Sequence, residues 1–303
     1  MGFGDFYTLC NQTALPLCQV VTPSAGAIHE NMKNGILPKC YARSIELANT
    51  IIFQIGNAFV NIDALIVLSI IIYNIRSKYT AIGRLEMLFF YHINVALVII
   101  TLVVDCGVSP PGSSSYPYFV AAQLGLASAS CWSLMVSGFL GFRFWEDGTA
   151  KSMGFIRLSS LIAFLLTFII GLLTFHNWIA SGSMNPGHTT GLFVVAYVLN
   201  ALFLVVYIIA QIILALWVIK NYWVIGVIAL AVISFVVGQV FTYALSRSIC
   251  EGVNHYLDGL FFGSLCNLFS LMMLYKFWDM TTDDDLEFSI SINKDGEITY
   301  AER

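Results

Sequence analysis

The stretch RLSSLIAFLLTFIIGLLTFHNWIASGSMNPGHTTGLFVVAYVLNALFLVVYIIAQIILALWVIK, residues 157–220, decides the fold. Between Arg157 and Lys220 it holds no Asp, Glu, Lys or Arg. At about 20 apolar residues per crossing, that is room for two passes through a bilayer and the loop between them. Working outward, the same reading gives seven spans: Thr50–Ile75, Met87–Val104, Tyr118–Phe142, Ile156–Phe175, Gly191–Ile219, Val224–Leu245 and Leu257–Tyr275. The whole chain is 58% hydrophobic and 11% charged, where soluble domains carry about 25% charged residues. Lipid cannot satisfy open backbone groups, so the spans are helices. A β-barrel would show short alternating segments instead. The fold class is therefore all-α, a polytopic membrane protein with a seven-transmembrane helix bundle.

Three parts follow: a short N-terminal segment 1–49, the bundle 50–275 and an acidic tail 276–303. Residues 1–49 show no apolar core of a cleavable signal behind a basic start, so the first span is expected to serve as the signal anchor. Five of the six Trp (Trp145, Trp178, Trp217, Trp223, Trp278) fall near predicted span ends, where aromatic belts form, and Trp132 falls mid-bilayer. Arg76, Lys78 and Arg84 follow span 1, and Arg143, Lys151 and Arg157 follow span 3. Lys220 and Lys276 follow spans 5 and 7. The positive-inside rule then places the N-terminus in the lumen and the C-terminus in the cytosol, against a weaker opposing signal from Lys33, Lys39 and Arg43.

That orientation puts Cys10, Cys18, Cys40, Cys106 and Cys250 on the lumenal side, where disulfides are permitted. Five is odd, so at least one stays free or pairs between chains, and spacing alone does not give the connectivity. Asn11-Gln12-Thr13 is a glycosylation sequon in the same segment. Cys131 and Cys266 lie inside spans as small packing residues.

Span 3 carries a small residue at every fourth position: Ala121, Gly125, Ala129, Ser133, Ser137 and Gly141. Such a face lets helices approach closely, inside the bundle or against a partner membrane protein. Asn57, Asn61 and Asp63 are polar groups within span 1. At about 100° per residue Asn57 and Asn61 share a face, while Asp63 is turned roughly 160° from Asn61. A carboxylate at bilayer depth is expected to face the bundle interior and find a hydrogen-bonding partner there. The tail gathers Asp279, Asp283, Asp284, Asp285, Glu287, Asp295, Glu297 and Glu302. Within it Asp283, Asp285 and Glu287 form an acid-x-acid pattern like the di-acidic signals read by vesicle-coat adaptors. Further on, Asp295-Gly296 between alternating apolar residues reads as a hairpin.

No His-Glu-x-x-His, phosphate-binding Gly-rich loop or nucleophile elbow is present in the sequence. The histidines make no tight metal-ligand motif, and nothing marks a nucleic-acid surface. The chain reads as a non-enzyme without a cofactor, working through its surfaces.

Several long stretches carry a resemblance. These are LPKCYARSIELANTIIFQIGNAFVNI (37–62), YNIRSKYTAIGR (73–84), TLVVDCGVSPPGSSSYPYFVA (101–121), GFLGFRFWEDGTAKSM (138–153) and ICEGVNHYLDGLFFGSLCNLFSLMMLYKFWDMTTDDDLEFSI (249–290). They resemble the fungal chitin synthase export chaperones. The resemblance implies a multi-pass, non-enzymatic protein of the endoplasmic reticulum membrane. Its client would be a chitin synthase, folded and exported toward the plasma membrane for cell-wall synthesis, with a vesicle-coat cargo adaptor and membrane lipids as further partners. A stable accessory subunit at the cell surface and a seven-transmembrane receptor are the rival expectations.

Overall fold

The structure is a computed structural model that describes residues 4–22, 35–47, 50–79, 81–140, 142, 148–177, 185–219 and 222–287. The chain opens with a short helix, α1 (Tyr7–Gln12), and a 3-10 turn at Pro16–Gln19. A two-stranded antiparallel ribbon follows, β1 (Ile45–Leu47) and β2 (Thr50–Ile52), with Ile45 opposite Ile52. The long helices are α2 (Ile55–Ser77), α3 (Arg84–Asp105), α4 (Tyr116–Leu140) and α5 (Ala150–His176). The sixth, α6, runs from Thr190 through a π-helical turn at Val194–Val198, α-helix at Leu199–Ile213 and a second π segment at Leu214–Ile219. Then come α7 (Tyr222–Tyr243), the short α8 (Ser246–Gly252) and α9 (Gly259–Glu287). Seven of these helices are long and apolar enough to cross a membrane.

Three sequence-based boundaries move. The first span does not begin at Thr50: the β-branched Thr50-Ile51-Ile52 run pairs as a strand, and the helix starts at Ile55. The helix of the fourth span, α5, begins at Ala150, ahead of Ile156, because the Thr149 hydroxyl accepts from the Ser152 N–H at 3.3 Å and caps its first turn. The seventh continues past Tyr275 to Glu287, through residues assigned to the tail. Charge ends a membrane crossing, but it does not end a helix. Trp278 holds this extension by donating its indole N–H to Ile82 O at 3.0 Å. Lys78 and Lys276 both pair with Asp279, the latter at 2.9 Å. Trp278 is accordingly buried rather than lipid-facing, whereas Trp217 and Trp223 are exposed. The expected 295–296 hairpin lies outside the described residues.

The bundle wears its apolar side outward, with Leu161, Ile162, Ile169, Leu202, Ile209 and Ile233 exposed. Inward contacts cluster at the two ends. Leu68, Ile75, Phe90, Tyr91, Ile228, Phe277 and Trp278 meet at the end near the tail. At the opposite end, hereafter the capped end, Phe6, Leu17 and Val21 of the N-terminal segment join Tyr116, Val120, Phe175 and Leu192. The segment thus shares its core with the bundle.

Between those ends the helices are stitched by polar rungs, since apolar contact alone gives little drive for helix association in lipid. Gln123 Nε2 donates to Thr101 Oγ1 at 3.0 Å, Ser130 Oγ to Asn94 Oδ1 at 3.2 Å, and Asn200 Nδ2 to Ser128 Oγ at 3.0 Å. Tyr91 Oη donates to Leu271 O at 3.0 Å and Gln211 Nε2 to Gly138 O at 3.0 Å.

The α7–α9 crossing is the tightest. A methyl on Gly259 would meet Phe241 O, and it would sit 2.7 Å from Ser246 Cα. One on Gly238 would sit 2.9 Å from Cys266 Cβ. Gly226, on the same α7, has open space around it. Gly259→Ala is therefore expected to lower the melting temperature of the detergent-solubilised protein, by overpacking worth about 1–3 kcal/mol. Gly226→Ala, which adds helix propensity without a clash, should leave it unchanged or raise it.

Candidate functional site

The capped end is where most polar chemistry converges. Asp105 closes α3 and is buried; its Oδ2 accepts from Asn57 Nδ2 at 2.6 Å and from Asn61 Nδ2 at 3.3 Å. Ser264 of α9 donates to Asn57 Oδ1, so one node ties α2, α3 and α9 together. The Asp105 backbone carbonyl also accepts from Phe53 N at 3.2 Å, just ahead of α2. A cavity of about 200 Å3 opens beside it, lined by Gln54, Asp105 and Tyr116 together with Leu15, Pro38 and Tyr41 of the N-terminal segment.

The N-terminal segment lids this end through hydrogen bonds to four helices or their approaches. Gln54 Nε2 donates to Ala14 O at 2.8 Å, Tyr116 Oη to Pro16 O at 3.2 Å, Thr189 Oγ1 to Gly4 O at 2.9 Å, and Thr13 Oγ1 to Thr242 O at 2.6 Å. Cys10 is bonded to Cys18 within the segment, and Cys40 to Cys250 at the end of α8. Cys106 is free. Burial, and then the neighbouring Asp105 carboxylate, push the Cys106 thiol up, which keeps it protonated and poorly nucleophilic near neutral pH.

His255, held at φ 67°, stands with Nδ1 3.3 Å from Cys40 Sγ and 3.7 Å from Cys250 Sγ. Among the described residues this trio is the one grouping with metal-ligand spacing. Its sulfurs are bonded to each other, so they offer no thiolate. Asp258, buried at the start of α9, accepts from Phe261 N at 3.4 Å, and burial pushes its carboxyl up.

Several sequence-based site residues take different places from those expected. The small-residue ladder of α4 is spent inside the bundle: Ala121, Ala129 and Ser133 are buried. A methyl on Gly125 would sit 2.9 Å from the Phe164 ring of α5, and one on Gly171 would sit 3.3 Å from Ala121 Cβ. This face seats α5, so it is not free for another protein. Ser137 is half-buried and donates to Leu134 O at 2.8 Å, and Gly141 lies outside the described residues.

Asn57 and Asn61 face inward, but Asp63 is exposed on the outer surface of α2, against the expectation that it turns inward. The reason is the helical angle: with Asn61 committed to Asp105, a residue about 160° away must face out. The Asn11 sequon sits on α1 rather than on an open loop, and its Thr13 is fully buried with its hydroxyl already donated. Asp283, Asp285 and Glu287 fall on the last turns of α9.

Sequence reasoning missed Glu86. It is buried at the start of α3, where its Oε1 accepts from Gly148 N at 2.9 Å and Ser152 Oγ at 3.3 Å, and it thereby anchors the entry to α5. An acid at the entry to an apolar span, with a Thr-x-x-Ser cap elsewhere, was the available signal.

The chain matches the family model described as chitin synthase export chaperone over residues 2–292. It is 55% identical over 311 aligned positions to the "Chitin synthase export chaperone" of Saccharomyces cerevisiae, covering 99% of this chain and 98% of that one. The protein of the same name in Candida albicans is 55% identical over 293 positions, covering 96% and 93%. Its namesake in Aspergillus clavatus is 52% identical over 292 positions, covering 96% and 86%. No solved structure matches the chain.

Two outcomes follow from the lid. Cys40→Ser or Cys250→Ser releases a crosslink spanning 210 residues of sequence and is expected to cost about 2–4 kcal/mol, read as a fall in melting temperature. Glycosidase treatment of the folded protein is expected to leave its electrophoretic mobility unchanged, because the sequon's Thr13 is buried.

Proposed function

The chain belongs to the chitin synthase export chaperone family, and from that premise we propose that it is a dedicated, non-enzymatic membrane chaperone. It binds chitin synthase in the endoplasmic reticulum membrane and enables its folding and export toward the plasma membrane. The observation that carries this reading is identity of 55% over nearly the whole length of both chains with a relative of that name. It covers the bundle, the lid and α9 together.

The disposition of polar groups supports it. Asp105, Asn57, Asn61, Asn94, Gln123, Asn200 and Gln211 are engaged in holding helices to one another. The outward surface is apolar. Such a molecule acts by what it packs against. In this reading the capped end is lumenal, where its two disulfides suit an oxidising compartment. Arg76, Lys78 and Arg84 are cytosolic. Asp283, Asp285 and Glu287 then stand on the cytosolic end of α9, in reach of a vesicle-coat cargo adaptor.

The test is to delete the gene and image tagged chitin synthase together with cell-wall chitin. Synthase held in the endoplasmic reticulum, while other membrane cargo exits normally, is the expected result. Synthase at the surface with normal chitin overturns the reading, and synthase at the surface with reduced chitin marks an accessory subunit instead. Asp285→Ala with Glu287→Ala is expected to slow synthase exit several-fold without lowering its binding. Unchanged exit removes these residues as a signal.

A further inference from the structure

Asp63 occupies a place that membrane proteins avoid. It lies eight residues into α2, about 12 Å from the capped end of that helix and about 21 Å from the other, at 1.5 Å per residue. It is exposed on the outer surface and has no hydrogen-bond or ion-pair partner among the described residues. An aspartate side chain is too short to reach either membrane surface from that depth. Acids within spans almost always face a bundle interior or pair with another group, because leaving one in hydrocarbon is costly.

Asp63 also sits in a seam. Phe59, Asp63, Ile66, Ile70 and Tyr73 are spaced by alternating four and three residues, and the four apolar members are 56–73% exposed. That alternation keeps one stripe of a helix facing a second helix along its length, with side chains set as knobs for the partner's holes. Exposed apolar residues are ordinary in lipid. A single polar group within such a stripe is the device that fixes partner and register.

We propose that this outer face of α2 docks one transmembrane helix of the client, and that this helix presents a Lys or Arg side chain to Asp63. The inference rests on the chaperone reading and names the surface and the chemistry through which it works. Charge decides the occupant. A second copy of this chain, related by a two-fold axis along the membrane normal, would set Asp63 against Asp63 at equal depth, which like charges disfavour. A basic residue buried in a client span is itself costly to insert, so each group supplies what the other lacks. The chaperone would thereby recognise a client helix that is not yet matched within its own fold.

The test places a photo-crosslinking amino acid at Phe59 or Ile66 of the full chain, in membranes that also contain chitin synthase, and maps the product by mass spectrometry. Crosslinks to one synthase helix carrying Lys or Arg at that depth are expected. Asp63→Leu should reduce synthase co-purification about tenfold, the equivalent of about 1.4 kcal/mol. Chain abundance and melting temperature should hold, since Leu suits a lipid-facing position. Asp63→Asn, which keeps the shape, should fall between, and Asp63→Lys combined with an acid in place of the client's basic residue should restore recovery. Full recovery with Asp63→Leu overturns the inference while leaving the chaperone reading intact. So do crosslinks to a second copy or to lipid alone. A wild-type chain that captures no synthase at all overturns both.

Discussion

A bilayer offers no partner to an amide or a carboxylate, and the architecture turns on how Asp105 is provided for. This carboxylate is buried where α3 ends, and Asn57 and Asn61 both turn toward it. Their doing so sets the rotation of α2. Ser264 brings α9 to the same point through Asn57. Three helices therefore meet at one node, α2 and α3 through the Asp105 carboxylate and α9 through the Asn57 amide oxygen. Fixing α2 this way also determines what its opposite side shows, and the outward placement of Asp63 is a geometric consequence of the inward placement of Asn61.

The rest of the bundle applies the same constraint at lower stakes. Each rung between helices uses a polar side chain whose partner is a backbone carbonyl or another polar side chain. Close approach is secured by glycines at the α4–α5 and α7–α9 crossings. The lid has a different logic. It lies outside the spans, so its apolar residues can bury against the bundle's end; the Cys10–Cys18 disulfide staples the lid internally and Cys40–Cys250 fastens it to α8. One end of the molecule is thus closed and crosslinked. The other ends in a helix that carries acids clear of the spans. The lateral surface and the α9 end are the parts of the described bundle that the lid does not cover.

The seven spans were legible because hydrocarbon thickness translates directly into apolar run length, and Arg157 to Lys220 admits no other reading. Boundaries were less so. Thr50-Ile51-Ile52 is apolar enough for a span, yet its β-branched residues pair with Ile45–Leu47 once that strand is near, a tertiary fact. The continuation of α9 is held by Asp279 meeting Lys78, just past the end of α2, and by Trp278 meeting Ile82, which no local pattern announces. Disulfide pairing was open among five cysteines because connectivity is set by the fold and not by spacing. The α4 ladder was legible as a flat face for helix packing or for a client, but a flat face does not say what it meets; the Phe164 ring opposite Gly125 does. The outward turn of Asp63 was contained in the helical angle, and the preference for burying acids concealed it.

Synthesis of chitin synthase in microsomes, with and without this chain, measures the central claim most directly. The quantity to follow is the fraction of client that remains monodisperse after gentle solubilisation. The account predicts that this fraction rises with the chain present, in proportion to a co-purifying complex, while an unrelated multi-spanning protein made in the same microsomes is unaffected. A client equally monodisperse without the chain, or a rise shared by the unrelated protein, would contradict a dedicated chaperone that works through its surfaces.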